Sequence, residues 1–506
     1  MASLDLEISS PDGIPFRARR NHVHTTWAKT FTSHPELYIQ PDTIPELRKA
    51  LSLARRHRRR ITVVGSGHSP SPLTLTRHWC VNLDRFDRIL SLDQEKRLVT
   101  AEAGIRLRDL SNLLDEAGLA LKNLGSIEDQ SIAGVVSTGT HGSSLHHGLL
   151  GESVVSFKMM LSDGSVKSVS ADAEDQDSKD LFRAGLLGLG ALGVVVEMTW
   201  SVRPAFLVAW SQTIDADSRL LASWSSGWWA ASEFKRVWWF PYTRRAVVWQ
   251  GDEARDAPPV KRPFNFYDGW LGYQVYHNLL YLAQWVPRIL PRVEWFVFGM
   301  QYGFANGTTI KAVEPSRDAL LMNCLYSQFV NEWAIPLQRG PEALRRLSTW
   351  LNNLDPSDPQ YVDPKIPFSA EGLYVHAPVE VRVVRNSGKD RQFLDPTVEE
   401  GDSLLLNATL YRPYLRDPPC RERYYEAFEW LMKDMGGRPH WAKNFSVSKG
   451  EIEGMYGAGP GRALGRWRAV RDKVDPEGMF VGPWHRGVVL EGSGCLSLEE
   501  VHSQEE

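Results

Sequence analysis

The sequence predicts an α+β protein of two domains, and three observations support that fold class. Its 506 residues exceed the size at which the core of one domain stops growing, about 250–300 residues. Helical and strand patterns alternate from Ile39 to Arg203, with glycine turns between them. After Pro204 the sequence changes to tryptophan-rich strands, so we expect a domain boundary near residue 204.

The first helix is expected to begin near Thr43. Thr43 and Glu46 match the T-x-x-E capping box, and apolar residues recur at helical spacing up to a basic run that ends at Arg60. Cations stabilise the C-terminal end of a helix, so a solvated helix end explains this run; a nuclear signal or a nucleic-acid patch is the alternative. A β-branched strand, Ile61 to Val64, follows without a gap.

The remaining elements follow from the same patterns. A helix is expected from Leu107 to Ala117. Strands are expected at Leu98 to Ala103, Ser153 to Leu161, Gly193 to Arg203, Val237 to Phe240, Ala246 to Gln250 and Val379 to Val384. The expected organisation is an N-terminal extension (1–20), a first domain (21–204), a second domain (205–440), a segment that returns to the first domain (441–490) and an acidic tail (491–506).

The composition excludes several classes of function. The 58 Lys and Arg nearly balance the 61 Asp and Glu, and a net charge of -3 supplies no attractive field for nucleic acid. The four cysteines form no C-x-x-C pair, so neither a metal site nor a disulfide framework is predicted, and no obligate protein partner is evident. No apolar leader is present, and no apolar run reaches the roughly 20 clean residues of a spanning helix, so we expect an intracellular protein.

The aromatic segment, residues 264–300, allows two interpretations. Trp, Tyr and Leu are interleaved with Arg there, which is typical of a surface that lies in a membrane interface. Trp270, Trp285 and Trp295 would then lie at the headgroup level with Arg288 and Arg292. A buried aromatic layer beneath a substrate pocket is the alternative, and the sequence leaves both open.

Two glycine-rich segments could bind phosphate. The first, Gly65 to Ser69, reads G-S-G-H-S directly after a strand, where backbone N–H groups can surround an anion. It lacks the third glycine of the dinucleotide fingerprint and the lysine of a Walker loop. The second, Gly125 to Ser144, is dense in glycine, serine and threonine, which expose donors and leave room for a pyrophosphate. Two separated phosphate-binding segments indicate a dinucleotide.

A pair of opposite charges interrupts the apolar strand Val379 to Val384. Residues two apart in a strand point to the same face, so Glu380 and Arg382 project together while the valines point into the core. A structural salt bridge is one explanation. The other is a site in which the carboxylate and the guanidinium have separate tasks.

In order and spacing, these motifs resemble a known family. V-G-S-G-H-S, S-I-A-G-x-x-S-T-G-T-H-G and G-L-G-A-L-G-V-V resemble the FAD-binding domain of the vanillyl-alcohol-oxidase flavoproteins, the PCMH type. V-E-V-R-V and R-P-H-W-A-K are similar to the sugar-lactone oxidase branch of that family. W-L-G-Y and F-V-F-G-M-Q-Y resemble the fungal D-arabinono-1,4-lactone oxidases most. The resemblance extends over roughly residues 25 to 490.

The resemblance implies a fold and a cofactor. It implies an α+β fold in which an FAD-binding domain of two subdomains joins a cap domain with a large antiparallel sheet and flanking helices. FAD would be bound covalently through His68, by a single bond, because the cysteine that makes a second bond in some relatives is absent near residue 130. The residues that the resemblance assigns to the cofactor are Gly65, Ser66, Gly67, His68, Ser69, Ser126, Ser131, Gly134, Thr138, Gly139, Thr140, His141 and Gly142.

The resemblance also implies a reaction, hydride transfer from an aldono-1,4-lactone to flavin N5, with O2 as the acceptor and H2O2 as a product. Glu380 would bind the sugar hydroxyls, Arg382 would stabilise negative charge at the flavin N1 and C2=O, and Lys443 would supply a second cation. Three alternatives stay open: a dehydrogenase that reduces cytochrome c, an oxidase of L-gulono- or L-galactonolactone, and a catalytically silent protein that binds flavin or a membrane. Relatives associate with mitochondrial or endoplasmic-reticulum membranes; a cytoplasmic protein is the alternative.

Overall fold

The computed structural model describes residues 13–255, 257–265, 269–322, 326–376, 378–388 and 391–490. Most of the expected N-terminal extension, the acidic tail and residues 266–268 of the aromatic segment lie outside them. The α-helices are Ile44–Arg56, Leu107–Glu116, Ile132–Ser137, Gln176–Gly185, Asp217–Ser223, Ser226–Ala230, Trp270–Ala283, Leu290–Tyr302, Ser316–Leu320, Gly340–Asn352, Arg421–Asp434, Lys449–Tyr456, Ala463–Val474 and Pro483–Val488.

Two sheets occupy the first part of the chain. The smaller one contains, in spatial order, Ala18–Arg19, Leu37–Ile39, Trp79–Asn82 and Ile61–Val64. Its last three strands are parallel, and the helix Ile44–Arg56 connects two of them. The second sheet contains, in spatial order, Val166–Ser170, Val154–Met160, Val194–Ser201, Leu98–Glu102 and Ile89–Asp93, and all its pairs are antiparallel.

A large antiparallel sheet follows in the later part of the chain. Its strands, in spatial order, are Thr309–Pro315, Leu207–Ala216, Arg245–Ala254, Phe234–Phe240, Val379–Val384, Ser403–Tyr411, Gln328–Pro336 and Arg438–Pro439. Four of these strands, Phe234–Phe240, Val379–Val384, Ser403–Tyr411 and Gln328–Pro336, are almost continuously buried, so both faces of this part of the sheet are covered. The short pairs Leu119–Ala120 with Arg203–Pro204 and His24–Thr25 with Thr32–Ser33 complete the strand pattern.

The elements predicted from the sequence are present, with shifted ends. The helix expected from Thr43 spans Ile44–Arg56, and the Thr43 side chain accepts from the Glu46 backbone N–H. The capping box itself is incomplete, because the Glu46 carboxylate accepts from the Asp42 N–H instead of the Thr43 N–H and also contacts Arg17. The Glu46 carboxylate thus binds groups outside the helix, and the reciprocal half of the predicted cap is not among the described hydrogen bonds.

The aromatic segment forms two helices, Trp270–Ala283 and Leu290–Tyr302, that are apolar on more than one side. Buried side chains such as Tyr276 and Phe298 pack inward. Other aromatic side chains of the same helices face outward, and Trp270 is 75% exposed. A buried aromatic layer therefore explains only half of the segment. Among the described residues, no helix combines the length and the apolar composition that crossing a bilayer requires.

The glycine-rich loop near Ser143 joins the first part of the chain to the large sheet. The Ser143 hydroxyl donates to the Lys235 carbonyl and accepts from the Val383 N–H at 3.2 Å. The Ser144 N–H donates to the Val383 carbonyl at 2.8 Å, and a parallel bridge pairs Ser144 with Val384. These bonds fix the loop against two strands of the sheet, Phe234–Phe240 and Val379–Val384.

The C-terminal part of the chain packs back onto its first part. The Ile61 N–H donates to the Met479 carbonyl at 2.8 Å, which places residue 479 beside the start of a parallel strand. His485 makes a second contact between these two parts. Its Nδ1 accepts from the Gly482 N–H at 3.0 Å, and its Nε2 lies 2.8 Å from the Leu189 carbonyl. The bond to Gly482 leaves Nε2 as the protonated nitrogen of a neutral ring.

We predict that the protein loses stability as the pH falls from about 6.5 to 4. Burial lowers the pKa of His24, His376 and His485 to about 4, whereas in the unfolded chain these residues bind a proton near pH 6.5. Between these values the unfolded chain binds more protons, so each histidine contributes stability above pH 6.5 that is lost toward pH 4, by about 1.4 kcal/mol per pH unit.

Urea unfolding at several pH values measures this slope. His485→Gln should keep a neutral side chain at this contact. It should reduce the slope of the free energy of unfolding against pH by the amount that one titrating proton contributes. His34→Gln, at an exposed position, is the matched control. A slope that is the same in wild type and in His485→Gln would contradict the assignment of a neutral buried imidazole to His485.

Candidate active site

An open cleft lies at the C-terminal end of the strand Ile61–Val64. Eight of the residues predicted to bind the cofactor line it: Gly65, Ser66, Gly67, His68, Ser69, Ser131, Gly134 and Thr138. The two glycine-rich segments, about sixty residues apart in sequence, therefore meet at one cleft, as the dinucleotide hypothesis requires.

The first glycine turn needs its glycines because of close approach and backbone conformation. A Cβ atom on Gly65 would lie 2.1 Å from Ser131 Oγ, so no side chain fits there. Gly67 has a φ of +66°, in the left-handed region that favours glycine. The two segments thus approach each other without intervening side chains, and their backbone groups stay accessible to an anion.

Arg106 adds a cation beside this turn that the sequence analysis missed. Its Nη2 donates to Asp84 at 2.8 Å, while its Nη1 is buried and has no hydrogen-bond partner among the described residues. Nη1 would lie 3.9 Å from a Cβ on Gly65. A buried, unsatisfied donor that borders a glycine turn fits a phosphate oxygen. Arg106 lies in an ordinary helix-start sequence, so nothing in its local pattern identifies it.

His68 lies in the cleft with one nitrogen available. Its ring stacks on Trp27 with centroids 4.9 Å apart, and its Nδ1 is buried without a hydrogen-bond partner in the described parts of the chain. Burial lowers the pKa of His68 to about 4, so the ring is neutral near pH 7. A neutral, oriented imidazole with an unsatisfied nitrogen fits the predicted bond to the flavin.

The other five residues predicted to bind the cofactor are not among those that line the cleft. The Ser126 carbonyl accepts from the Met322 N–H. Thr140 is buried, and its backbone N–H and carbonyl groups form hydrogen bonds within its own loop. Gly139 has a φ of +75°, and Gly142 leaves no room for a Cβ, which would lie 2.2 Å from Asn123 Oδ1. His141 belongs to a separate buried group of charged residues. Roles of these five toward a cofactor stay predictions.

That buried group, which we call the ionic cluster, consists of Glu332, Arg382, Glu380, Lys443, Arg236, His141 and His440. Arg382 Nη2 donates to Glu332 Oε1, and His141 Nε2 lies 3.4 Å from the same oxygen. Lys443 Nζ lies 3.7 Å from Glu332 Oε2. On its own strand, Arg382 Nε lies 3.5 Å from Glu380 Oε2. The structure therefore brings Arg382 and Lys443 to one carboxylate, that of Glu332, and places Glu380 beside Arg382.

The register of the large sheet explains this arrangement. Asn407 pairs with Glu332 on one side and with Glu380 on the other, so the three side chains form a row on one face. Arg382 lies two residues from Glu380 and shares that face. Arg236 lies opposite Arg382 on the next strand, since Val237 pairs with Val381. The row thus places two carboxylates and two guanidinium groups within one buried patch.

Sequence reasoning did not identify Glu332, His440 or Arg236 as members of the cluster. A signal for Glu332 exists, because it is the ionisable residue in the otherwise uncharged strand Gln328–Pro336. His440 belongs to the H-W-A-K motif, of which only Lys443 was assigned. Arg236 has no local signal, since an arginine in a strand is common at a surface and this one is buried only by the packing of the sheet.

The pKa shifts in the ionic cluster follow from burial and opposite charge. Burial alone would raise the pKa of Glu332, but Arg382, His141 and Lys443 outweigh it, so the pKa lies well below its usual range. Burial lowers the pKa of His141 and of His440, and nearby cations lower them further. Both rings are therefore neutral. Three cations, Arg236, Arg382 and Lys443, face two carboxylates, which leaves one net positive charge.

His141, Glu332 and His440 also satisfy the spacing of a metal site, with ligand atoms within 4.8 Å of one another. A guanidinium and an ammonium group already neutralise the carboxylate, however, and would repel a cation. His440 Nδ1 accepts from the Ala442 N–H at 3.1 Å, which removes one ligand atom. The chemistry of this group fits an ion-pair network better than a metal ion.

The segment from His440 to Asn444 connects the ionic cluster to the cleft. Asn444 Nδ2 donates to the Pro70 carbonyl at 2.9 Å, directly after the glycine turn. Lys443 is close enough to His68 to lower its pKa, together with burial and Arg106. The cluster therefore adjoins the end of the cleft that contains His68. A group that enters the cleft and reaches His68 therefore comes within electrostatic range of Lys443.

Comparison with solved structures supports this architecture. A crystal structure of cholesterol oxidase from Brevibacterium sterolicum superposes with a TM-score of 0.76 at 16% identity, covering 95% of this chain and 99% of that one. At this identity the likeness shows the fold alone. It confirms the expected α+β fold class, which combines an FAD-binding domain of this type with a large antiparallel sheet.

Comparison with protein families and with individual proteins identifies the family. The FAD binding domain family matches residues 35–170, which makes FAD the cofactor, and the D-arabinono-1,4-lactone oxidase family matches residues 198–488. A Neurospora crassa protein, provisionally named D-arabinono-1,4-lactone oxidase, is 53% identical over 98% of this chain and 92% of its own.

Two further relatives extend this result. D-arabinono-1,4-lactone oxidase of Yarrowia lipolytica is 38% identical over 92% of this chain and 96% of its own. L-gulonolactone oxidase of Scyliorhinus torazame is 35% identical over 90% of this chain and 95% of its own. With a family match over more than half of its length and relatives at these identities, the chain belongs to the D-arabinono-1,4-lactone oxidase family.

Proposed function

We propose that this protein is an FAD-dependent oxidase of aldono-1,4-lactones, with D-arabinono-1,4-lactone as the substrate and O2 as the electron acceptor. Membership of the family supports the substrate class. The observation that carries the proposal is the ionic cluster at the His68 end of the cleft, where carboxylates and cations lie side by side. FAD, when bound, would supply the two-electron chemistry by which a hydride and a proton leave the lactone and O2 gains two electrons and two protons to become H2O2.

The residues that line the cleft would hold FAD. The glycine turn from Gly65 to Ser69 and the segment from Ser131 to Thr138 offer backbone and hydroxyl donors to the pyrophosphate. Arg106 Nη1 adds a charged donor that is unsatisfied within the described residues. His68 would form the covalent bond, because its neutral ring is oriented by Trp27 and its Nδ1 has no hydrogen-bond partner in the part of the chain that the structure describes.

Glu380 would bind the hydroxyl groups of the lactone. Its Oε1 is buried and lacks a hydrogen-bond partner among the described residues, although its carboxylate borders Arg382. An unsatisfied acceptor of this kind fits a polyol, whose hydroxyls donate hydrogen bonds.

Arg382 and Lys443 would supply positive charge where electrons enter the cofactor. Both are held by Glu332, so their positions are set before a substrate binds. Preorganised charge stabilises a transition state without reorganisation at the moment of reaction. The net positive charge of the ionic cluster has the sign that such a role needs.

The domain division and the cellular context are further parts of the proposal. We place the FAD-binding domain at 21–204, the cap domain at 205–440 and the returning segment at 441–490, supported by the contacts between Met479 and Ile61 and between His485 and Leu189. We also propose peripheral association of this intracellular protein with a membrane, such as a mitochondrial one, through the aromatic segment. Phe264, Trp270, Trp285 and Trp295 are exposed there by 88, 75, 57 and 53%.

The first prediction concerns the reaction. Purified protein loaded with FAD should consume O2 and form an equal amount of H2O2 with D-arabinono-1,4-lactone. L-Gulono- and L-galactono-1,4-lactone are the comparison substrates, and an oxygen electrode with a peroxide assay makes the measurement. Reduction of cytochrome c without peroxide would contradict the choice of acceptor. A flavin that no lactone bleaches under nitrogen would contradict the enzyme.

The second prediction separates Glu380 from Arg382. Glu380→Gln should raise KM for the lactone and lower kcat/KM about tenfold or more, since a bond to a charged acceptor contributes about 1.5–3 kcal/mol. Arg382→Ala should slow flavin reduction about a hundredfold, or about 3 kcal/mol, with a smaller change in affinity. Arg382→Lys should be intermediate. Anaerobic stopped flow measures both steps; reduction of Arg382→Ala at the wild-type rate would exclude this role.

The third prediction concerns the covalent bond. Acid-precipitated wild-type protein should stay yellow, and His68→Ala should release its flavin into the supernatant. His485→Gln is the matched control, because His485 lines the same cleft but both of its ring nitrogens have hydrogen-bond partners. Absorbance at the flavin maximum in pellet and supernatant measures the outcome. A colourless wild-type pellet would show that the flavin is not covalently bound.

The fourth prediction concerns the membrane. The protein should float with vesicles that contain phosphatidylserine at low salt, because exposed Trp side chains and the exposed Arg288 and Arg292 suit an anionic interface. Replacing Trp270, Trp285 and Trp295 with alanine should abolish flotation. Replacing the exposed Leu90, Leu92 and Leu113 is the matched control. Wild-type protein that stays in the dense fraction would refute the proposal.

A further inference from the structure

The carboxylate of Glu332 is the centre of the ionic cluster. Glu332 has no exposed surface, and it is the charged residue of the otherwise uncharged strand Gln328–Pro336. Its Oε1 accepts from Arg382 Nη2, and its Oε2, 3.7 Å from Lys443 Nζ, forms no hydrogen bond within the described structure. An ionised carboxylate without contact to water is costly, so it persists only through the groups paired with it.

Two carboxylates compete for the Arg382 guanidinium. Glu332, from a strand two positions away in the sheet, receives a direct hydrogen bond from Nη2. Glu380, on the same strand as Arg382, lies 3.5 Å from Nε. Because Glu332 holds one edge of the guanidinium, that group stays directed across the sheet instead of folding onto Glu380. Glu380 Oε1 thereby keeps no hydrogen-bond partner among the residues that the structure describes, and a substrate hydroxyl can use it.

We infer that Glu332 is a positioning residue that fixes Arg382 toward the cofactor and keeps Glu380 available for the substrate. It acts through these two residues and, at its second oxygen, through Lys443. The inference rests on the proposed function, because it gives a task to the same site. Without Glu332, Arg382, whose Nε already lies 3.5 Å from Glu380 Oε2, would turn fully onto that carboxylate. The cofactor would then lose a cation, and the substrate would lose an acceptor.

Three variants test this inference. Glu332→Ala removes both the charge and the hydrogen-bond acceptor, whereas Glu332→Gln removes the charge and keeps an amide oxygen that Arg382 can bind. Glu429→Ala is the matched control, since Glu429 is another buried carboxylate, which binds Asn331 and the Ser446 N–H and contacts no member of the ionic cluster in the described hydrogen bonds and ion pairs. Thermal unfolding of each variant checks that it folds.

The midpoint potential of bound FAD is the first readout, and it needs no substrate. Glu332→Ala should lower it by about 30 mV, the equivalent of a tenfold change for a two-electron couple, because Arg382 turns away. Glu332→Gln should lower it less, and Glu429→Ala should leave it unchanged. A rise in Glu332→Ala would show that the residue acts only as a negative charge. Equal decreases in the Ala and Gln variants would also overturn the inference.

Kinetics give the second readout. Glu332→Ala should raise KM for the lactone and slow flavin reduction at least tenfold, a combined defect that neither partner alone explains. In an Arg382→Ala background, the same substitution should change the reduction rate by less than about twofold, because a residue that acts through Arg382 has no effect without it. Full additivity of the two substitutions would refute the inference.

These outcomes separate the inference from the proposed function. If no lactone reduces wild-type protein, the proposed function fails, while the midpoint potential still reports whether Glu332 positions Arg382. If Glu332→Ala does not fold, Glu332→Gln decides. A midpoint potential that falls, together with a loss of reduction rate smaller than that of Arg382→Ala, would then support the inference. No change in either quantity, or a loss of rate as large as that of Arg382→Ala, would overturn it.

Discussion

The ion pair between Glu332 and Arg382 depends on the approach of several distant parts of the chain. A carboxylate without access to water is unfavourable by several kcal/mol unless it is paired and hydrogen-bonded, and removing one partner of such a pair costs about 3–5 kcal/mol. Its partners come from another strand of the large sheet, from the glycine-rich loop that contains His141, and from the segment that contains Lys443. The cluster is therefore complete only when these parts are docked.

Hydrogen bonds of uncharged groups contribute to this docking. Ser143 and Ser144 bind two strands of the large sheet through their hydroxyls and backbone, directly after His141. Asn444 binds the Pro70 carbonyl beside the glycine turn. These contacts fix the distance between His68 and the ionic cluster without using any charged side chain. The charged side chains are thus free to orient one another and whatever enters the cleft.

Local patterns in the sequence were sufficient for much of the fold. The strand Ile61–Val64 with its glycine turn, and the strand Val379–Val384 with its charged pair, were predicted because each depends on neighbours in sequence. Glu332 and Arg236 were not, because their role depends on the order of strands in the sheet. The capping box at Thr43 was incomplete for the same reason, since Glu46 binds groups outside the helix.

The aromatic segment shows a further limit of sequence patterns. Helices that are apolar on more than one side have no single period that separates an inward from an outward face. Only the packing of Tyr276 and Phe298 shows which side is buried, and it leaves Trp270 and Trp285 exposed.

The central claim is that the ionic cluster and His68 face the same end of one cofactor. A crystal structure of the protein with FAD bound tests it most directly. We expect electron density that joins His68 to the isoalloxazine ring, with Arg382 or Lys443 within hydrogen-bond distance of the ring and Glu332 still bound to Arg382. An isoalloxazine ring that lies away from His68, or a guanidinium of Arg382 turned onto Glu380 with no contact to the cofactor, would contradict this account.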